Sequence, residues 1–256
     1  MRPEDVAVLV TTYLPPGQEE ERLKALEAAL SSWVYHLRAP AGGRFRLLIA
    51  DDHSSSRAQT LLAALAYRCL DRDRTNWAAV PMMLPASRPG GVGASLNRGI
   101  EEIRRLGGEY IFYAVDDWAL TERLDLGPVT GLLAVDETVG AVRFGPFHPD
   151  LAARVKHTPH GWTLRFDRAA GGYVFGTRPT LFHRRFFDAY GRFDEGCSAL
   201  AAEDGYNQRF CTTPMPPPHP DILGWLPSPF SPVPSVELSA FDPHDRPDWQ
   251  SAAVPA

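Results

Sequence analysis

The first 117 residues alternate between two hydrophobic periods. "DVAVLVTTY" carries an unbroken apolar run, Val6 to Val10, as expected of a strand buried on both faces. "PPGQEEERLKALEAALSSWVYHL" begins with prolines and acids. It then places Leu23, Leu26, Ala29, Leu30 and Trp33 at helical spacing. The alternation continues through "RFRLLIADDHSSS" (strand), "RAQTLLAALAYRCL" (helix) and "WAAVPMML" (strand). "RPGGVGASLNRGIEEIRRLGG" follows as a glycine loop, a helix and a Gly-Gly stop, and "EYIFYAVDD" is a fourth strand. This order predicts a mostly parallel central sheet covered on both faces, an α/β/α sandwich.

The second half is less regular. "VGAVRFG" reads as a strand, and "HTPHGWTLRFD" and "GGYVFGT" as strands flanking an aromatic-rich loop. "HRRFFDAYGRFDEG" reads as a short helix and a turn, and "AAEDGYNQRF" as another helix start. After Thr213 half of the chain's 24 prolines crowd into residues 214–256. Proline excludes regular helix and central strand, so an extended tail is expected there. The expected division is a domain over 1–213, in two halves (1–117 and 118–213), followed by the tail.

Candidate chemistry collects at the strand ends. In parallel sheets ligands bind beyond the carboxyl ends of the strands. Thr11, Thr12, Asp51, Asp52, Asp116 and Asp117 all occupy such ends. Adjacent carboxylates at the tip of a buried strand repel one another unless a cation or a hydroxyl-rich ligand sits there. For Asp116 and Asp117 a divalent ion shared with a diphosphate relieves that cost, and hard oxygen donors suit Mg²⁺ or Mn²⁺. Asp51 and Asp52 either cap a turn or accept hydrogen bonds from a base or ribose. The glycines of "RPGGVGASLNRGI" either cradle phosphate or make a tight loop braced by Asn97. Glu203 and Asp204 fall at the apparent start of a helix, where an acid either complements the helix dipole or acts as a general base. Trp118, Trp162 and Tyr173 offer an aromatic platform for an acceptor ring.

Composition narrows the classes. Net charge is −5, which argues against a nucleic-acid partner. Three dispersed cysteines give neither a disulfide framework nor a metal spacing. The apolar N-terminal run is too short for a signal or a membrane span, so a cytoplasmic protein is expected. His157, His160, His183, His219 and His244 lack metal-type spacing, and His219 or His244 is the candidate third metal ligand.

In order, these motifs resemble the inverting glycosyltransferases of family 2, which have the GT-A fold and use nucleotide-diphosphate sugars. The likeness runs through "VAVLVTTY", "LLIADDHSS", "GGVGASLNRGIEEIRRLGGEYIFYAVDD", "PTLFHRRFFDAYGRFDEG" and "AEDGYNQRF", residues 6–210. The resemblance implies that Thr11, with Thr12 and Tyr13 beside it, and Asp51 or Asp52 contact the nucleoside. It puts Asn97 near the donor, Asp116 near the ribose, Asp117 on a Mn²⁺ or Mg²⁺ ion, and makes Asp204 the catalytic base with Glu203 orienting the acceptor. The implied acceptor is a saccharide, lipid-linked or natural-product molecule. One departure stands out: the position two before Asp117, often an acid in the family, is Val115. The rival readings are an inactive nucleotide-sugar-binding module, motivated by Val115, a nucleotidyltransferase, which wants a basic glycine loop where "TTYLPPGQ" stands, and a structural scaffold.

Overall fold

A computed structural model describes residues 1–2, 4–144, 153–158, 161–166, 178–212, 220–226 and 230–232. The elements of the first half are β1 (Val6–Thr12), α1 (Glu19–His36), a two-residue β2 (Leu37–Arg38), β3 (Phe45–Asp51), α2 (Ser56–Leu70), β4 (Met82–Pro85), α3 (Gly91–Arg105) and β5 (Tyr110–Val115). The second half adds β6 (Trp118–Leu120), β7 (Leu124–Asp125), α4 (Gly127–Val135), β8 (Val139–Phe144), β9 (Ala153–Thr158), β10 (Gly161–Phe166), β11 (Thr180–His183), α5 (Arg185–Tyr190), α6 (Ala199–Thr212), β12 (Asp221–Leu226) and β13 (Phe230–Pro232).

Among the described residues a nine-stranded sheet runs β4-β3-β1-β5-β11-β8-β12-β10-β9. The β4-β3-β1-β5 quarter is wholly parallel, as the alternation predicts. Of the whole sheet only β11 and β10 run against the rest. Register brings the carboxyl ends level: Thr12 lies opposite Asp51, and Thr11 opposite Val115.

Strand parity sorts the core into two layers. Val6, Val8 and Val10 of β1, Phe45, Leu47 and Ile49 of β3, and Tyr110, Phe112 and Ala114 of β5 share one face with the apolar stripes of α1, α2 and α4. Ala7, Leu9, Leu48, Ala50, Ile111, Tyr113 and Val115 share the other with α3, α5 and α6. Each fully buried large side chain of this kind contributes about 1.5–3 kcal/mol. Gly99 lets α3 settle directly on β1, since a Cβ there would stand 2.3 Å from Leu9 Cδ1.

Two expectations change. The segment after Thr213 supplies a strand inside the sheet, β12 between β8 and β10. The physical reason is local. "DILGWL" holds no proline, and Pro220 and Pro227 stand just outside it, so the ladder loses no donor. β13 pairs antiparallel with β6, Pro232 opposite Trp118. The remainder of the expected tail and the strand at "GGYVFGT" lie outside the described residues. Second, "TLFH" (180–183) forms β11 in mid-sheet, next to β5. With only four residues, it offers too short a pattern for periodicity to detect.

Candidate active site

Parity also decides where each terminal acid goes. Asp51 continues the Phe45–Leu47–Ile49 face and turns toward α2. It is fully buried and accepts from Ser54 N at 3.0 Å, Gln59 Nε2 at 3.1 Å and Ser54 Oγ. Asp52 falls on the opposite face, toward α3. Its two oxygens accept from Gly90 N and Gly91 N, each at 2.9 Å. The expected nucleoside acceptors are thus engaged by the protein's own donors, and the turn-capping alternative describes their geometry. The amides of the glycine loop, offered in sequence as a phosphate cradle, are the ones bound to Asp52.

The second pair behaves differently. Asp116 follows the parity of Tyr110, Phe112 and Ala114 toward α1. It is 6% exposed and accepts from Thr12 Oγ1 at 2.9 Å and Arg22 Nη2 at 2.6 Å, both on Oδ2. Asp116, and behind it Asp117, raise the Arg22 guanidinium above its ordinary pKa against the opposing effect of burial. On the other face Thr11 Oγ1 and Tyr113 OH share a hydrogen bond of 3.0 Å. Burial pushes the Tyr113 phenol up, and the nearby charges of Glu203, Asp116 and Asp117 push it further. Asp117 is half-buried.

Helix α6 starts earlier than the sequence suggests, at Ala199. The Ser198 hydroxyl accepts from Ala201 N at 3.1 Å, so Glu203 and Asp204 lie in its second turn, not at its mouth. Ala202, Tyr206 and Phe210 form its buried stripe. Glu203 borders that stripe and is half-buried, whereas Asp204 is exposed to solvent. A clamp sets the helix position. Asn97 Oδ1 accepts from Phe193 N (2.9 Å), and Nδ2 donates to Phe193 O (3.0 Å) and Glu195 Oε1 (2.7 Å). Phe193 stacks on Tyr206 with centroids 4.1 Å apart. A Cβ on Gly93 would stand 2.0 Å from Asp194 O, and one on Gly205 2.3 Å from Asp194 Oδ2. Asn97 and the glycines therefore brace the 193–196 segment that leads into α6. The sequence reading of Asn97 as a donor contact meets a side chain whose amide is already committed.

Trp118, in β6, lies half-buried beside Asp117, with the Arg178 guanidinium 5.8 Å from its ring centroid. β10, which carries Trp162, stands four strand steps from β5, about 19 Å at ordinary spacing. Tyr173, His219 and His244 lie outside the described residues. Tyr13 follows β1 directly. Arg22 and Tyr113 escaped sequence reasoning, because neither belongs to a motif. The one available signal was parity, which puts Thr12 and Asp116 on one face of neighbouring strands and Thr11 and Tyr113 on the other.

Carboxylate and hydroxyl oxygens are the donors at the β5 tip, a hard set that suits Mg²⁺ or Mn²⁺. No group of three or more His, Cys, Asp or Glu able to hold a metal gathers among the described residues. Mg²⁺ commonly takes one or two carboxylates and completes its shell with water and substrate phosphates. An acidic tip of this kind fits an ion held by one carboxylate together with a diphosphate, and does not fit an all-protein cage.

The architecture is the GT-A type of mixed α/β fold. No family model matches the sequence, and no curated protein matches it. Among solved structures, S. aureus TarS matches with a TM-score of 0.57 at 14% identity, over 90% of this chain and 37% of TarS. TarS 1–349 in complex with UDP-GlcNAc matches at 0.54 and 15% identity, over 90% of this chain and 58% of that one. Its complex with UDP matches at 0.55 and 13% identity, over 88% and 59%. This chain spans well under two thirds of each of these structures, and identities this low establish the fold alone.

Proposed function

We propose that this protein is a metal-dependent, inverting glycosyltransferase of family 2 that takes a sugar from a nucleotide-diphosphate donor. The observation that carries the reading is the acidic tip of β5. Asp116 and Asp117 stand at the carboxyl end of a central strand, on a fold shared with a protein crystallised with UDP-GlcNAc. Thr11, Thr12 and Asp116 line the donor side, and Asp117 holds the metal. Glu203 and Asp204 serve the acceptor side.

In the proposed reaction an acceptor hydroxyl oxygen attacks the anomeric carbon as the bond to the diphosphate oxygen breaks. The electron pair leaves with the diphosphate, configuration inverts, and the hydroxyl proton passes to the Asp204 carboxylate. General base catalysis of this kind contributes about 10²–10⁴-fold. A bound Mn²⁺ or Mg²⁺ supplies Lewis-acid relief of the charge on the leaving group. Asp204 is exposed, open to an acceptor arriving from solvent. Among the described residues no helix is long and apolar enough to cross a membrane, and we place the activity in the cytoplasm.

The test is a thermal-shift panel of UDP, GDP and dTDP, each with and without Mn²⁺. A metal-dependent rise for one nucleotide supports the reading and names the donor class. No rise for any of them overturns it. Donor hydrolysis in the presence of Mn²⁺ then distinguishes an enzyme from a binding module.

A further inference from the structure

Arg22 enters the rim from α1, immediately after the acids Glu19, Glu20 and Glu21 that open the helix. Its side chain is 26% exposed and that of Asp116 8%. The pair is therefore a largely desolvated, charge-assisted contact and not a loose surface bridge. Thr12 Oγ1 reaches the same Asp116 oxygen from the neighbouring strand, so two donors from two elements fix the orientation of the carboxylate. Both use Oδ2.

We infer that Arg22 is a resident counter-cation: it holds the Asp116 carboxylate oriented for a ligand hydroxyl, and keeps it out of the metal shell. Asp117 is then the carboxylate that meets the divalent ion from the protein side. The inference rests on the reading of this rim as a nucleotide-sugar site and deepens it. The physical argument is local charge. A metal ion on Asp116 must either displace the guanidinium or share a carboxylate with it, and like charges at that range repel. With Arg22 in place the tip carries one net negative charge from the three groups Arg22, Asp116 and Asp117. Without it the tip carries two.

Mn²⁺ alone, titrated calorimetrically into the full chain, tests this without any turnover. Arg22→Gln is expected to bind Mn²⁺ about five-fold tighter than wild type, the opposite of what loss of a binding residue produces. Asp116→Asn is expected to bind about five-fold weaker, because an unpaired guanidinium then faces the ion. The double variant Arg22→Gln/Asp116→Asn restores the net charge and returns to within about two-fold of wild type. Asp117→Asn loses binding with or without Arg22. The inference falls if Arg22→Gln binds no tighter than wild type, if the double variant is as weak as Asp116→Asn alone, or if no form binds Mn²⁺. Should Arg22→Gln fail to fold, the double variant decides alone, since its two amides can still hydrogen-bond. A separate UDP, GDP and dTDP titration at saturating Mn²⁺ distinguishes the two failures. If the Mn²⁺ ranking holds and no nucleotide binds, the donor reading fails and the Arg22 assignment stands. If a nucleotide binds and the ranking is absent, the reverse is true.

Discussion

β3 and β5 end in the same dipeptide, Asp-Asp, at the same edge of the same sheet, and meet different fates. In both, strand parity sends the first acid to the α1–α2 face. The groups that each acid meets there differ. β3 runs through a short turn into α2 and lies beside the start of α3, so its acids find backbone N–H groups and a serine. No helix comes directly after β5, since a turn leads to β6. Asp116 is answered by side chains from β1 and α1 instead. The first pair accepts hydrogen bonds from a turn and from the start of α3, whereas the second is held by one arginine and one threonine through Asp116. An acid pair is thus interpreted by the element its strand runs into, not by the pair itself.

The sharpest way to break this comparison is to exchange the roles by mutation. Asp117→Asn is expected to lower turnover by about 10³-fold or more while the melting temperature moves by less than about 2 °C. Asp204→Asn is expected to cost about 10²–10⁴-fold in turnover with UDP affinity unchanged within about two-fold. Near-normal turnover of either variant with the best donor removes that residue from the chemistry.

The first pair predicts the converse. Asp52→Ala leaves two amides at the start of α3 without their acceptor and is expected to cost about 2–4 kcal/mol of stability, read by urea denaturation. If Asp52→Ala instead keeps its stability and loses only nucleotide affinity, the β3 acids are ligand groups and the contrast collapses. Gly93→Ala is a milder probe of the same scaffold. Its Cβ would stand 2.0 Å from Asp194 O. The expected cost is about 1–3 kcal/mol, with sugar transfer falling more than donor hydrolysis as α6 shifts. Equal falls would mean that α6 does not position the acceptor side.

Much of this fold could be read in advance, for a physical reason. β1, α1, β3, α2, α3 and β5 each carry a long pattern of one period, and their order implies parallel pairing. β11 and β12 did not announce themselves. One is four residues long, and the other hides between prolines, so register with neighbours specifies them more than their own pattern. At the site, residue types pointed to one edge of the sheet but not to the partners that each acid has there. Asp51 and Asp52 are polar groups at a strand end and Asn97 one inside a helix, and sequence cannot tell whether a ligand or a nearby amide satisfies them. Arg22 is one of several charged residues on a helix until β5 is placed beside it.

The smallest effect tests whether the acid pairs control stability toward low pH. His183 sits at the opposite end of β5 from Asp116, paired with Tyr110. Its ring packs edge-on against Tyr110, with centroids 5.5 Å apart, and its Nδ1 accepts from Arg185 N at 3.2 Å. Burial first, then the charges of Arg185 and Arg184, lower its pKa from 6.5 to about 4, with Asp188 opposing. The unfolded chain therefore takes up a proton near 6.5 and the folded chain near 4. Between those values the unfolded state binds more protons, so stability present above 6.5 is lost as pH falls toward 4. The contribution at pH 5 is about 1 kcal/mol after allowance for partial exposure. His183→Gln is expected to flatten the fall in urea midpoint between pH 6.5 and 4. If the fall is unchanged in that variant, the proton uptake that destabilises the protein lies elsewhere, and the buried carboxylates at the other end of the sheet become the groups to titrate.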